Sequence, residues 1–195
     1  SDGTQGLKLN QISDFPEKGY SKINILQSNN KKSYIYFRIP SWDKNMKILI
    51  NRKKIKYETF NGYAKIKYLW KKGDKIELFF NFEPRLVRTN PNVRYNIRKA
   101  CLFRGPILYC LEEKDNGRNL NKFILDSSNN ITEKNIKINS QKVISLLTKA
   151  YLYKDTKKLY LNDKPKYSKK NIKFIPYYKW SNRGENEMLV WVNEN

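Results

Sequence analysis

Tyr63-Ala64-Lys65-Ile66-Lys67-Tyr68 and Lys75-Ile76-Glu77-Leu78-Phe79-Phe80 are two alternating runs separated by Trp70 and Lys72-Gly73-Asp74. Side chains along a strand point to opposite faces in turn, so this period of two writes one buried face and one wet face. Gly73 can take the positive φ that a tight reversal requires. The stretch therefore reads as an antiparallel hairpin. The same pattern recurs outward from it, in Tyr34-Ile35-Tyr36-Phe37-Arg38-Ile39 and Lys47-Ile48-Leu49-Ile50. Asn61-Gly62 is a second hairpin signal, and Pro40 ends the strand before it because proline has no N–H for a central ladder. Strand centres about 8–14 residues apart suit layered antiparallel sheets.

The second half continues in kind. Ala100-Cys101-Leu102-Phe103 and Ile107-Leu108-Tyr109-Cys110-Leu111 are apolar runs split by Gly105-Pro106, one bent strand or two. The region Gln141 to Tyr153 has apolar residues at near-helical spacing, and we expect a strand there, through Lys149-Ala150-Tyr151-Leu152-Tyr153. The polar, turn-rich segment Arg88-Thr89-Asn90-Pro91-Asn92 suggests a boundary near Pro91 to Asn96. The expectation is an all-β chain of two consecutive antiparallel β-sandwich domains, residues 1–97 and 98–195. The polar opening Ser1-Asp2-Gly3-Thr4 has no signal-peptide pattern. With no initiator Met, the sequence reads as a piece of a longer protein or a processed one.

The 195 residues hold 40 Lys+Arg against 18 Asp+Glu, a formal charge of +22, with no histidine and two cysteines. No apolar run approaches the roughly 20 residues of a spanning helix, so no membrane partner is expected. Missing histidine removes the Ser-His-Asp triad, the Cys-His pair and most zinc sites. Four Trp, 14 Tyr and nine Phe can bury enough area to fold so charged a chain. The basic residues are mostly Lys, spread along the chain, and Lys, Asn, Ile and Tyr share A/T-rich codons. The charge thus reads as a solvated surface with salt-sensitive polyanion or nucleic-acid binding at most, and no specific nucleic-acid partner.

Candidate chemistry is sparse. Cys101 and Cys110 read as buried thiols, not metal ligands, so no metal or cofactor is expected in this chain. Glu112 and Glu113 are adjacent and would face opposite ways on a strand. They cannot form the facing carboxylate pair of a glycosidase, and a loop or rim role is expected. No phosphate-cradling glycine motif occurs. Aromatics remain. Trp70 and Trp191 read as packing residues. Trp42 and the polar-flanked cluster Tyr177, Tyr178 and Trp180 are the candidates for carbohydrate stacking or a domain interface.

Several stretches together resemble glycoside hydrolase family 127, the β-L-arabinofuranosidase family. Ile175-Pro176-Tyr177-Tyr178-Lys179-Trp180-Ser181-Asn182-Arg183-Gly184, with Glu187-Met188-Leu189-Val190-Trp191, looks like its closing signature. Arg104-Gly105-Pro106 through Tyr109-Cys110-Leu111-Glu112, with Asp115-Asn116, resembles its central stretch. Phe37-Arg38-Ile39-Pro40-Ser41-Trp42, then Gly62-Tyr63 with Trp70, Gly73 and Asp74, is similar to its earlier strands, and Gln11 to Gly19 to its entry. The matches cover nearly the whole chain in the family's order. The resemblance implies the two β-sandwiches that follow a catalytic (α/α)-barrel. It places the zinc-bound cysteine nucleophile and glutamate acid/base in that barrel, and Cys110 outside them. The upstream barrel is then the expected partner. A second copy of the chain and an arabinose-containing plant glycan are the others that the aromatic flank admits. Where the family often has Asn-Gly, this chain has Asn51-Arg52, so Asn51 is expected to take the positive φ or the turn to lengthen.

Overall fold

A computed structural model describes residues 6–195; the opening Ser1–Thr4 lies outside the described residues. The chain divides into two compact units, Ser1–Glu83 and Pro84–Asn195.

The first unit holds strands β1 (Lys8–Ser13), β2 (Tyr20–Gln27), β3 (Lys32–Arg38), β4 (Lys47–Ile50), β5 (Lys53–Lys54), β6 (Glu58–Phe60), β7 (Tyr63–Leu69) and β8 (Lys75–Phe79). They form a five-stranded sheet in the order β1-β2-β8-β4-β5 and a three-stranded sheet in the order β3-β7-β6. All their pairings are antiparallel. The inward residues Ile23, Ile25, Ile48, Ile50, Ile76 and Leu78 of one sheet share a core with Phe37, Ala64 and Ile66 of the other. That is a sandwich. Trp70 is fully buried at its edge and donates from Nε1 to the Ser33 carbonyl at 3.2 Å, as the packing reading expects.

Two turns lock together in this unit. Asp74 accepts from Lys71 N at 2.8 Å through one carboxylate oxygen and from Asn51 Nδ2 at 2.8 Å through the other. Asn51 Oδ1 in turn accepts from Lys75 N at 2.9 Å. Asn51 takes the positive φ as expected, at 50°, but Arg52 is left-handed beside it, at 69°. A two-residue hairpin of this hand needs both central residues there. The Asn51 side-chain bonds to Asp74 and Lys75 offset the strain that Arg52 brings.

The second unit holds β9 (Pro84–Arg88), β10 (Lys99–Arg104), β11 (Ile107–Glu112), a short helix α1 (Glu113–Asn116), β12 (Phe123–Leu125), β13 (Thr132–Ile138), β14 (Gln141–Tyr153), β15 (Tyr167–Pro176), β16 (Met188–Leu189) and β17 (Val192–Glu194). Its layers are continuous, in the order β16-β11-β15-β14-β12-β17-β10-β9, with β10 also paired to β11 and β13 to β14. Only β12 with β17 is parallel among the described pairings. Gly105 (φ 54°) makes the runs around it two strands of a hairpin. The strand expected at 149–153 is the end of the thirteen-residue β14. Its alternation slips once, at the adjacent buried residues Ser145 and Leu146, and that slip produced the helix-like spacing.

The expected boundary at 97/98 moves to 83/84. β9 pairs with β10 from Ala100↔Arg88 to Arg104↔Pro84, across the turn-rich segment read as a linker. Leu86 packs on the second core, and Arg88 pairs with Glu194, donating from Nε to Oε2 at 2.6 Å. The polar loop is a hairpin connection inside the second unit.

Candidate functional site

Of the four aromatic candidates, three come together. β15 ends at Pro176, and Tyr177–Lys179 form one 3-10 turn leading to Trp180. Tyr177, Tyr178 and Trp180 remain 41%, 46% and 41% exposed. Tyr177 and Trp180 stack at 24° with centroids 6.1 Å apart, and Lys179 Nζ lies 5.2 Å over the Tyr178 ring. Lys179 also bonds to Gln141. Trp42 belongs to the first unit. There it packs edge-on to Phe82 at 5.6 Å, beside Phe80, and Phe15 meets the same two rings.

The aromatic turn is held by a polar clamp that the residue-by-residue reading missed. Glu112, at the end of β11, is fully buried, not a rim residue. It accepts from Ser181 N at 3.0 Å and from Arg183 Nε at 3.1 Å, and it pairs with Arg183 Nη2. Arg183 reaches on to Asp115, with Nη1 at 3.1 Å and Nη2 at 2.6 Å. Lys173 Nζ stands 2.5 Å from Asp115 Oδ1. Asn116 stitches the helix to β15: its Nδ2 donates to the carbonyls of Glu112 and Lys173, and its Oδ1 accepts from Lys173 N. Glu187 accepts from Leu120 N through both oxygens, and its own N–H donates to Glu113. A buried carboxylate is tolerable only when paired and hydrogen-bonded, so Glu112 demands Arg183. The partners are about 70 positions apart, and only their co-occurrence in the quoted signatures hinted at the link.

Charge settles on this clamp. Burial works to raise the Asp115 pKa, but the Arg183 and Lys173 bonds outweigh it and hold the carboxyl below its ordinary value. The bonds to Asp115, then those to Glu112, hold the Arg183 guanidinium firmly protonated. Burial, with Glu112 nearby, pushes the Cys110 thiol up to about 12. Every carboxylate of the clamp is thus committed to a cation or a backbone N–H. None is placed as a free acid or base.

The resemblance places the family's zinc in the barrel, outside this chain. Cys110 is a buried, protonated thiol packed with Ile138, Val143 and Ile175, and a metal ligand must be thiolate. Among the described residues, no three of Cys, Asp and Glu converge on a point that could hold a metal ion.

Comparison with known proteins assigns the halves in order. Residues 2–82 match the model described as "Beta-L-arabinofuranosidase, GH127 middle domain". Residues 84–193 match "Glycoside hydrolase family 127 C-terminal domain". A non-reducing end β-L-arabinofuranosidase from Bifidobacterium longum subsp. longum is 26% identical over 200 residues, covering 95% of this chain and 30% of that protein. The crystal structure of a GH127 β-L-arabinofuranosidase from Geobacillus stearothermophilus T6 superposes with a TM-score of 0.91 at 32% identity, over 97% of this chain and 31% of that one. Another GH127 β-arabinofuranosidase superposes at 0.82 with 26% identity, over 97% of this chain and 32% of its own. The chain spans about a third of the length of each.

Proposed function

The chain belongs to glycoside hydrolase family 127, and on that premise we propose that it supports and orients a catalytic barrel carried elsewhere in the same polypeptide. It corresponds to the family's middle and C-terminal domains, the non-catalytic portion. The whole enzyme then removes β-L-arabinofuranosyl units, the activity named for the relatives. The observation that carries the reading is the commitment of the clamp. Glu112, Asp115 and Glu187 are spent on holding the chain together, while Tyr177, Tyr178 and Trp180 are presented outward on a rigid base. Large half-exposed rings on a braced turn suit a packing surface for another domain, where aromatic anchors contribute most.

Two measurements test this. The purified chain should release no arabinose from a β-L-arabinofuranoside, and hydrolysis by the chain alone would overturn the proposal. A family barrel produced separately should melt at a higher temperature when the chain is added. Trp180→Ala should weaken that association by about tenfold or more. If that substitution instead abolished binding to an arabinan with association intact, the aromatic turn would be a carbohydrate site.

A further inference from the structure

The first unit carries a second surface that the barrel-support reading does not use. The outward faces of β3 and β7 alternate rings and cations. Tyr34, Tyr36 and Arg38 stand on β3, with Tyr63, Lys65 and Lys67 beside them in register on β7. Tyr34 and Tyr36 are each 45% exposed, with centroids 6.2 Å apart. Lys65 Nζ lies 4.6 Å and Lys67 Nζ 5.4 Å over the Tyr34 ring, and the Arg38 guanidinium lies 5.8 Å over Tyr63. Strands β3, β6 and β7 together contain Lys32, Arg38, Lys65 and Lys67 against a single acid, Glu58, opposite Lys65. None of these four cations makes an ion pair among the described residues. Bulk charge explains exposed lysines, but it does not explain rings left in water between them.

A groove of about 440 Å³ adjoins this face, where β3 is an edge strand. Tyr36 and Arg38 line it together with Phe15, Gln11, Ser13 and Ser21. Gln11 donates from Nε2 to Ser21 Oγ at 2.9 Å. The groove therefore combines ring faces, a guanidinium, an amide and hydroxyls. Predominantly apolar clefts of this size with a few polar groups are the usual form of small-ligand sites. A guanidinium reads a carboxylate bidentately, rings take the flat apolar face of a cyclic ligand, and amides and hydroxyls match its hydroxyls.

We propose that this groove and the adjoining ring-and-cation face bind a carboxylate-bearing glycan, with Arg38 on the carboxylate and Tyr36 against the sugar ring. The site holds the parent enzyme on acidic polysaccharide. The choice of a sugar over another polyanion rests on the family reading above; the choice of an acidic one rests on the cations alone.

The test is affinity electrophoresis and calorimetry of this chain against oligogalacturonate, neutral arabinan and oligouridylate. Oligogalacturonate should bind best. Arg38→Ala should weaken it at least tenfold and Tyr36→Ala several-fold, each variant still melting cooperatively, since neither side chain belongs to the core of the first unit. Lys53→Ala with Lys54→Ala removes two exposed charges from β5 and should leave binding as it was. Equal losses in that control would reduce the effect to net charge and overturn the site. Equal retention on neutral arabinan would remove any role for Arg38, tighter binding of oligouridylate would make the face a nucleic-acid surface, and no binding at all would end the proposal. Assaying the same preparation for arabinofuranoside hydrolysis separates the two readings. Activity there would sink the barrel-support role while leaving the Arg38 result to decide the glycan site.

Discussion

Gly19 shows how one residue can be dictated by a contact invisible nearby in the chain. Its carbonyl accepts from Phe80 N at 2.8 Å, and a Cβ there would overlap the Phe80 carbonyl oxygen and stand 2.7 Å from the Phe82 ring. That bond holds Phe80 beside Gly19, so relief of the overlap requires a shift of the Phe80 backbone. Gly19→Ala should therefore destabilise the first unit by about 1–3 kcal/mol, the usual cost of overpacking, seen as a lowered urea midpoint. An unchanged midpoint would mean the Phe80 backbone and the Phe82 ring give way freely. Arg183 is the counterpart in the second unit. Arg183→Met strands Glu112 in the interior and should cost about 3–5 kcal/mol. Adding Glu112→Leu should recover much of that loss, because an apolar pair of similar volume does not need desolvated charge. A double variant as weak as the single one would show that the pair is not what stabilises the turn.

At the scale of the element, α1 is four residues long and cannot stand by its own hydrogen bonds. Its place is set by Asp115 and Asn116, which reach Arg183, Lys173 and the β15 backbone. This makes the element acid-sensitive. The Asp115 pKa is depressed in the fold, so its contribution is fully present above the ordinary carboxylate value of about 3.9 and is lost as pH falls through the lower folded value. Thermal melts should show the second unit weakening below about pH 4, with Asp115→Asn less stable at neutral pH and flatter across the acid range. A variant that follows the parent curve in acid would place the sensitivity on other carboxylates. The 3-10 turn bearing Tyr177 and Trp180 is likewise held through Ser181 and Arg183 rather than by capping of its own.

On the scale of the whole molecule, the division between units is a matter of which strand pairs with which. Because β9 is hydrogen-bonded to β10, a fragment beginning at Pro84 should melt cooperatively. One beginning at Arg98 loses β9, Leu86 and the Arg88–Glu194 pair, exposes the β10 edge, and should aggregate or melt earlier. Equal stability of the two fragments would return the boundary to the polar loop. Most of the architecture was legible in advance because it is written at short range. Alternation in Tyr63–Tyr68 and Lys75–Phe80, and turn chemistry at Gly73 and Asn61-Gly62, are local properties of neighbouring residues. The loop around Pro91 misled because a hairpin connection and a linker share one composition. Glu112 misled because adjacency to Glu113 suggested exposure, while its burial is decided by a guanidinium 71 positions later.

The amino-acid order alone settled that this chain is layered antiparallel β-structure, that its thiols are packing residues, and which family signatures it carries, since period, turn preference and motif content need no knowledge of distant contacts. Tertiary structure alone decided that Gly19 must lack a side chain, that Glu112, Asp115 and Arg183 form one clamp, that Tyr36 and Arg38 share a groove with Gln11 and Ser21, and that the second unit begins at Pro84. Each of these depends on residues brought together across many intervening positions, and burial and charge pairing are fixed by that proximity, not by sequence neighbours.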